Sequence, residues 1–421
     1  MRVLFLNDTA RNGGPGRSLQ ALLRHIPDGR VHRTVVLPRA GEIADLLRST
    51  GAADEIAFEP AWVENLVEPW SRPMARDDFA ASRPLQTLRA LGNVARMSQA
   101  IWRLARRVKE GRFDVIYGNG TTANFVVALL GLWLNVPVVW HVRYTSIPGP
   151  LERLHRALAA TRAVRRIVCV SKPAAALLAH VPEKVVVVHN GVDVDAFTPG
   201  RSAGGLRTTL GLGEDVVIFG SHGRILRKKG YVEMLTAARV ALTLLRADER
   251  PRCHFVIIGD TPQDFRPDHL AECRQLAATL GIEKNVTFLG FKADVRPFLA
   301  DFDVTVVPSI YPDPLPRAVI ESMAAGKPVL AFDVGGVGEM LGSGEGTLLK
   351  GRPPDVQGLA LSFVRYLRDP VLRATQSQAA RARALRDFDA RGHAAKVEVE
   401  LFAAAGRVGP APRFNPSSSS A

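Results

Sequence analysis

The stretch DVTVVPSIYPDPLPRAVIESMAAGKPVLAFD, residues 303–333, contains one full strand–loop–helix–strand unit. DVTVVPS and KPVLAFD are short, nearly continuous apolar runs, the composition of strands buried on both faces of a parallel sheet. Between them IYPDPLP reads as a proline-stiffened loop and RAVIESMAAG as a helix closed by Gly326. Pro316 is expected at the first helical position, where a missing N–H costs nothing. The unit sets one carboxylate, Asp313, just before the helix and a second, Glu321, inside it.

The same alternation extends in both directions. Upstream, RVLFLN, RTVVLP, DVIYGN, VPVVWHV, RRIVCVS and KVVVVHN read as strands; in the second half DVVIFGSHG, HFVIIGD and NVTFLGF join the two runs above. Helical patterns lie between them, so the fold class is α/β, with two doubly wound Rossmann-like domains expected to face a cleft. Turn signals in NGVDVDAFTPGRSAGG, 190–205, mark the boundary. The expected divisions are 1–195 and 196–385, one doubly wound domain each; 386–405, a helix packing back toward the first domain and broken near Gly392; and 406–421, a disordered tail.

At 421 residues the chain is too long for one ordinary core. Hydrophobic residues at 47% and charged residues at 23% fit a soluble globular protein and exclude fibrous or disordered classes. Cys169, Cys253 and Cys273 lie far apart without metal-ligand spacing, which argues against a disulfide framework or a zinc site and favours a reducing compartment. The start, MRVLFLNDTA, has too short an apolar run for a signal peptide. The apolar stretch 123–140 is interrupted by Asn135 and Pro137, so a buried helix followed by a strand is expected rather than a membrane span. The net charge of +14 favours anionic partners without choosing among them.

In doubly wound folds ligands bind just after the strands. After VVIFGS, the segment HGRILRKKG carries Arg224 and Lys229 near a loop-to-helix junction, a fit for a diphosphate. A solvated basic loop is the competing reading. Two carboxylates such as Asp313 and Glu321 suit vicinal hydroxyls, which they accept in pairs; a capping Asp and a surface Glu are the competing reading. GGPGRSL lacks the spacing of a dinucleotide fingerprint, so its glycines serve turn geometry or close backbone approach. DFD, 301–303, has a D-x-D pattern but joins a helix end to a buried strand and reads as structural.

The D-x7-E stretch resembles the E-x7-E motif of the retaining GT-B glycosyltransferases of the family 4 type. NGGPGRSLQALL, VVWHVR, IVCVSKPAAALL, VVHNGVDVDAF, GRILRKKGYVEML, FVIIGD, VTFLGF, FDVTVVPS and AAGKPVLAFDVGGVGEML follow that family's pattern in order, from about residue 1 to 402. The resemblance implies that Glu321 binds the ribose of a nucleotide and that Asp313 touches the donor sugar. Arg224 and Lys229 would neutralise the leaving diphosphate. Gly13, Gly14 and Gly16 would approach the donor from the other domain, Leu315 would join the donor site, and His141 would sit at the reaction centre. It implies front-face attack with no protein nucleophile, and no metal or other cofactor. Two departures stand out: Asp313 is one methylene shorter than the family's usual Glu, and Pro316 replaces a common Gly.

The segment 84–112 reads as a long amphipathic helix, with Leu91, Val94, Met97, Ile101, Leu104 and Val108 on one face. Arg89, Arg96, Arg103 and Arg107 cluster opposite, with Arg106, Lys109 and Arg112 nearby. Either this is a solvated face of a core helix, or it meets an anionic membrane surface, helped by Trp62 and Trp70.

The leading functional reading is a hexosyltransferase of polysaccharide or glycolipid biosynthesis. It would use a nucleotide diphosphate sugar and a glycan or lipid-linked acceptor, in the cytoplasm or peripheral on the inner membrane face. The alternatives are a GT-B sugar-nucleotide epimerase or phosphorylase, and a non-enzymatic anion-binding protein. Nucleic acid is not expected as a partner, because aromatic-interleaved basic stretches are missing.

Overall fold

The computed structural model describes residues 1–11, 13–64, 83–200, 205–262, 267–342 and 344–409, with the backbone alone for 83–91 and Pro150. Of these residues, one compact unit comprises those up to Val192 and those from Phe388 on; the second comprises Asp193–Asp387.

The first unit is built on β1 (Arg2–Asn7), β2 (His32–Leu37), β3 (Glu55–Phe58), β4 (Val115–Asn119), β5 (Val138–Val142), β6 (Val164–Cys169) and β7 (Val185–Val187). Their order is β3-β2-β1-β4-β5-β6-β7, every neighbouring pair parallel. Successive strand residues face opposite sides, so a sheet covered by helices on both faces needs the unbroken apolar runs seen in the sequence. On one face Val3, Phe5, Val35, Tyr117 and Val139 pack with Leu19 and Leu22 of the helix Gly14–His25, and with Val397 and Leu401 of the helix Ala390–Ala404. Burial of each such large side chain stabilises by roughly 1.5–3 kcal/mol.

The last helix is fastened where the chain re-enters this unit. Val192 N–H donates to Phe388 O and Ala390 N–H to Val192 O, both at 2.9 Å. Arg30 meets Glu398 at 3.1 Å and Arg166 meets Glu400 at 3.4 Å. The helical break falls at Phe388–Asp389 and not near Gly392, because Asp389 caps the final helix by accepting from Arg391 N–H.

The second unit is built on β8 (Val217–His222), β9 (Cys253–Ile258), β10 (Val286–Gly290), β11 (Val304–Val307), β12 (Val329–Phe332) and β13 (Gly346–Leu349). Their order is β10-β9-β8-β11-β12-β13, again all parallel. Phe219, Phe255 and Ile257 join the core on one face; their alternates Ile218, Val256 and Ile258 pack on the other against Leu299 and Phe302. The fold is therefore α/β with two parallel, doubly wound sheets, as the strand runs predict.

Residues 123–140 divide into the helix Thr121–Leu134 and strand β5. Among the described residues no helix is long and apolar enough to cross a membrane. The basic segment forms the helix Arg83–Gly111. Met97, Leu104 and Val108 are buried as expected, whereas Val94 is half exposed, and the side chain of Leu91 lies outside the described residues. Trp62 is buried, and Trp70 lies outside the described residues, as does the side chain of Arg89.

Candidate functional site

In the second sheet the winding reverses between β8 and β11, which are neighbours in space but not in sequence. Loops leaving such a pair diverge and open a crevice at the carboxyl edge. Here the two loops are tied backbone to backbone: Ile310 N–H donates to Lys228 O at 3.1 Å. Gly230 has φ +76°, and a Cβ there would stand 1.8 Å from Pro308 O. Only glycine meets both demands.

This junction brings the predicted charges together. Lys229 Nζ lies 2.6 Å from Asp313 Oδ2. The ammonium groups of Lys228 and Lys229 sit 4.3 and 5.4 Å from the centre of the Tyr311 ring. Burial, and then the charges of Arg224 and Lys229, push the Lys228 ammonium below its ordinary range. Burial and the charge of Asp313 push the Tyr311 hydroxyl up. Arg224 is exposed beside this group. Arg227 does not belong to it, since its guanidinium bonds Glu233 at 2.8 Å. Three cations around one carboxylate leave a local excess of positive charge, which suits a small polyanion.

Asp313 is held from a third side as well. Gly336 N–H donates to its carbonyl at 2.9 Å, and a Cβ on Gly335 would fall 2.1 Å from the same oxygen. Asp313 does not cap the helix that follows. Pro316 occupies the cap position and the helix runs Arg317–Ala324, so Pro316 stands one residue before the place expected for it.

Glu321 is buried, not a surface side chain. His222 Nε2 lies 3.1 Å from its Oε2, and Arg317 Nε donates to its Oε1 at 3.1 Å. His222 is the last residue of β8 and Arg317 precedes Glu321 by one helical turn. The carboxylate is thus gripped by both elements that flank the crevice. Leu315 is buried in the loop between Asp313 and the helix.

Asp303 of the DFD segment accepts from Ile218 N–H at 2.8 Å and binds Arg207, a structural tie across the sheet.

In the first unit the winding reverses between β1 and β4. His141 lies near the end of β5, fully buried. Its Nδ1 meets Tyr117 Oη and, at 3.2 Å, Arg143 Nη2. Arginine has no acceptor, so Nδ1 carries the lone pair and Nε2 the hydrogen. Burial, and then the charges of Arg143 and His393, hold the imidazole well below the ordinary histidine range. The ring is a neutral donor at physiological pH.

Arg143 Nε donates to Asn119 Oδ1 at 2.7 Å, and Asn119 Nδ2 reaches Pro15 O at 3.2 Å. That chain of contacts links His141 to the glycine loop. Gly14 opens its helix, with open space where a Cβ would be. Gly16 serves packing, because a Cβ would stand 2.6 Å from Ile43 Cδ1. Gly13 is the helix cap.

His222, Lys228 and Tyr311 escape a reading of the sequence. Arg317 does have a local signal, an Arg four residues before Glu321 on one helix face.

The chain matches two family profiles, "Glycosyltransferase Family 4" over residues 12–196 and "Glycosyl transferases group 1" over 206–383. It is 31% identical over 304 residues to D-inositol 3-phosphate glycosyltransferase of Streptomyces scabiei, covering 66% of this chain and 65% of that protein. It is 23% identical over 247 residues to UDP-Gal:alpha-D-GlcNAc-diphosphoundecaprenol alpha-1,3-galactosyltransferase of Escherichia coli, covering 55% of this chain and 61% of that protein. The matched stretch is less than two thirds of the length of these curated relatives. Among solved structures, Anabaena HepE in complex with UDP and glucose superposes with a TM-score of 0.75, at 24% identity, over 94% of this chain and 98% of that one. That likeness speaks for the fold. Profiles, relatives and fold agree: the chain belongs to the GT-B glycosyltransferases of the family 4 type.

Proposed function

We propose that the protein transfers a hexose from a nucleotide diphosphate sugar to a hydroxyl of a glycan or lipid-linked acceptor, with retention at the anomeric carbon. The carrying observation is the meeting of Arg224, Lys228, Lys229 and Asp313 at the crevice between the loops after β8 and β11, next to a buried Glu321 fixed by two donors. Glu321 accepts the ribose hydroxyls. The cations take up the charge of the departing diphosphate in place of a metal, by fixed positive groups aimed where charge develops. Asp313 meets the donor sugar and Leu315 joins the donor site; for Gly14, the neutral His141 and Gly16, beside its packing role, the roles proposed are those that the family resemblance implies.

The acceptor class follows the printed activities of relatives, one on inositol phosphate and one on a diphosphoundecaprenol-linked sugar. Contact with an anionic membrane on the cytoplasmic side is part of the proposal. Its support is a surface of the first unit where Trp102 and Trp133 are both more than half exposed, at 53% and 56%, beside exposed Leu129 and Leu132. Arg106 lies over the Trp102 ring at 5.3 Å and Lys109 over the Trp133 ring at 5.9 Å. Indoles flanked by cations suit the headgroup layer. The face opposite, predicted to be the cationic one, is partly neutralised within the unit: Arg103 meets Glu59 at 3.4 Å and Arg107 meets Glu55 at 3.7 Å.

The test is thermal-shift screening with UDP, GDP and ADP and their sugars, followed by turnover of Glu321→Ala. Stabilisation by one nucleotide class, with turnover lost in a folded variant, supports the reading. A Glu321→Ala enzyme with unaltered rates means the donor site lies elsewhere.

A further inference from the structure

We propose that His222 is a positioning residue that sets selectivity for a ribonucleotide donor, by fixing the carboxylate of Glu321 for two vicinal hydroxyls; this rests on Glu321 being the ribose ligand. The His222 side chain is 5% exposed and that of Glu321 6%, so their 3.1 Å contact is shielded from water. Nδ1 of His222 is buried with no hydrogen-bond partner among the described residues. Glu321 is therefore the polar group that orients this ring. An orphaned buried nitrogen is uncommon and costly, and a merely space-filling role at the end of β8 needs no imidazole.

A free glutamate samples several rotamers. Here Arg317 Nε takes Oε1 from within the same helix, and His222 Nε2 takes Oε2 from the neighbouring strand end. Two donors on the two oxygens fix the plane of the carboxylate. A fixed carboxylate receives both hydroxyls of a cis-diol in one geometry, and a 2′-deoxy sugar forfeits one of those bonds without compensation. With His222 removed, Oε2 loses the donor from the strand end, the plane tilts, and the second hydroxyl loses its matched acceptor. Selectivity then falls together with affinity. A purely structural tie between β8 and the helix would lower thermal stability while leaving selectivity intact.

The experiment measures Kd for UDP and 2′-deoxy-UDP, and for the corresponding GDP and ADP pairs, by calorimetry on the full chain. His222→Leu, which keeps bulk without a donor, is compared with His222→Gln, whose amide nitrogen replaces Nε2. The expected result for His222→Leu is a Kd for the preferred ribonucleotide raised roughly 10-fold or more, with the ribo-to-deoxy ratio driven toward one. His222→Gln is expected to restore most of the ratio. Wild-type selectivity in His222→Leu, or equal selectivity in the Leu and Gln variants, overturns the proposal. Glu321→Gln separates the two levels. If it binds nucleotides as the wild type does, the donor reading fails and His222's role with it; if it weakens binding while His222→Leu does not, only the role of His222 falls.

Discussion

Lys229 Nζ stands 2.6 Å from Asp313 Oδ2, joining the loop that leaves β8 to the loop that leaves β11. Both side chains are mostly shielded, at 20% and 12% exposure, so their attraction is screened by salt less than that of an open surface bridge. On the proposed reading, the phosphate of an incoming donor would compete with Asp313 for the ammonium. Lys229→Ala is expected to raise the Kd of a nucleoside diphosphate by roughly 10- to 100-fold. Asp313→Asn is expected to leave that Kd unchanged or lower it, while turnover falls. Calorimetry and initial rates on both variants check the opposite signs; diphosphate binding weakened in Asp313→Asn would count against competition.

Gly230 lies at that junction. Its φ of +76° costs a residue with a Cβ about 1 kcal/mol or more, and the added atom would meet Pro308 O at 1.8 Å. Gly230→Ala is expected to lower stability by more than about 2 kcal/mol and to weaken nucleotide binding with it. Urea unfolding and calorimetry read the two effects. An unaltered midpoint would show that the loops part without loss.

Acid stability should depend on His155. It is buried among Trp140, Phe125 and Tyr144, and burial, then the charge of His180, lowers its pKa from 6.5 to about 4. Below pH 6.5 the unfolded chain takes up a proton that the folded chain refuses, so this contribution is present above 6.5 and is lost as pH falls toward 4. The loss amounts to about 3 kcal/mol. His141, whose pKa is also lowered, acts in the same direction. His155→Gln is expected to flatten the fall in urea midpoint between pH 6.5 and 4, followed by fluorescence of the adjacent Trp140. A slope equal to wild type would refute the linkage.

Flotation with anionic and neutral liposomes tests the Trp102–Trp133 surface. Wild type is expected to rise with anionic vesicles, Trp102→Ala/Trp133→Ala to lose most of that binding, and high salt to reduce it. Equal, negligible binding of wild type to both vesicles removes the membrane from the reading.

The long strands and their parallel arrangement were legible because both faces of each sheet are covered, which forces runs such as VVIFGS and HFVIIGD. β3 and β13 were not. Each has four residues at the rim of a sheet, with only one residue in each fully buried. The meeting of Lys229 with Asp313 followed from family spacing, since both residues end segments that follow neighbouring strands. The grip of His222 on Glu321 did not, because 99 residues separate them and no local pattern marks a histidine at a strand end as a partner. The outward turn of Trp102 and Trp133 was hidden for a related reason: helical periodicity sorts residues onto faces but does not say which face a neighbour covers.

The first unit holds its final helix, Ala390–Ala404, as part of its own core, through Ala394, Val397 and Leu401. During synthesis everything up to Val192 leaves the ribosome with that groove vacant, and the whole of Asp193–Asp387 must be made before the missing piece emerges. The nascent amino-terminal portion therefore waits with the part of its core that Ala394, Val397 and Leu401 cover still open, an invitation to chaperones, while the later-made unit is free to finish first.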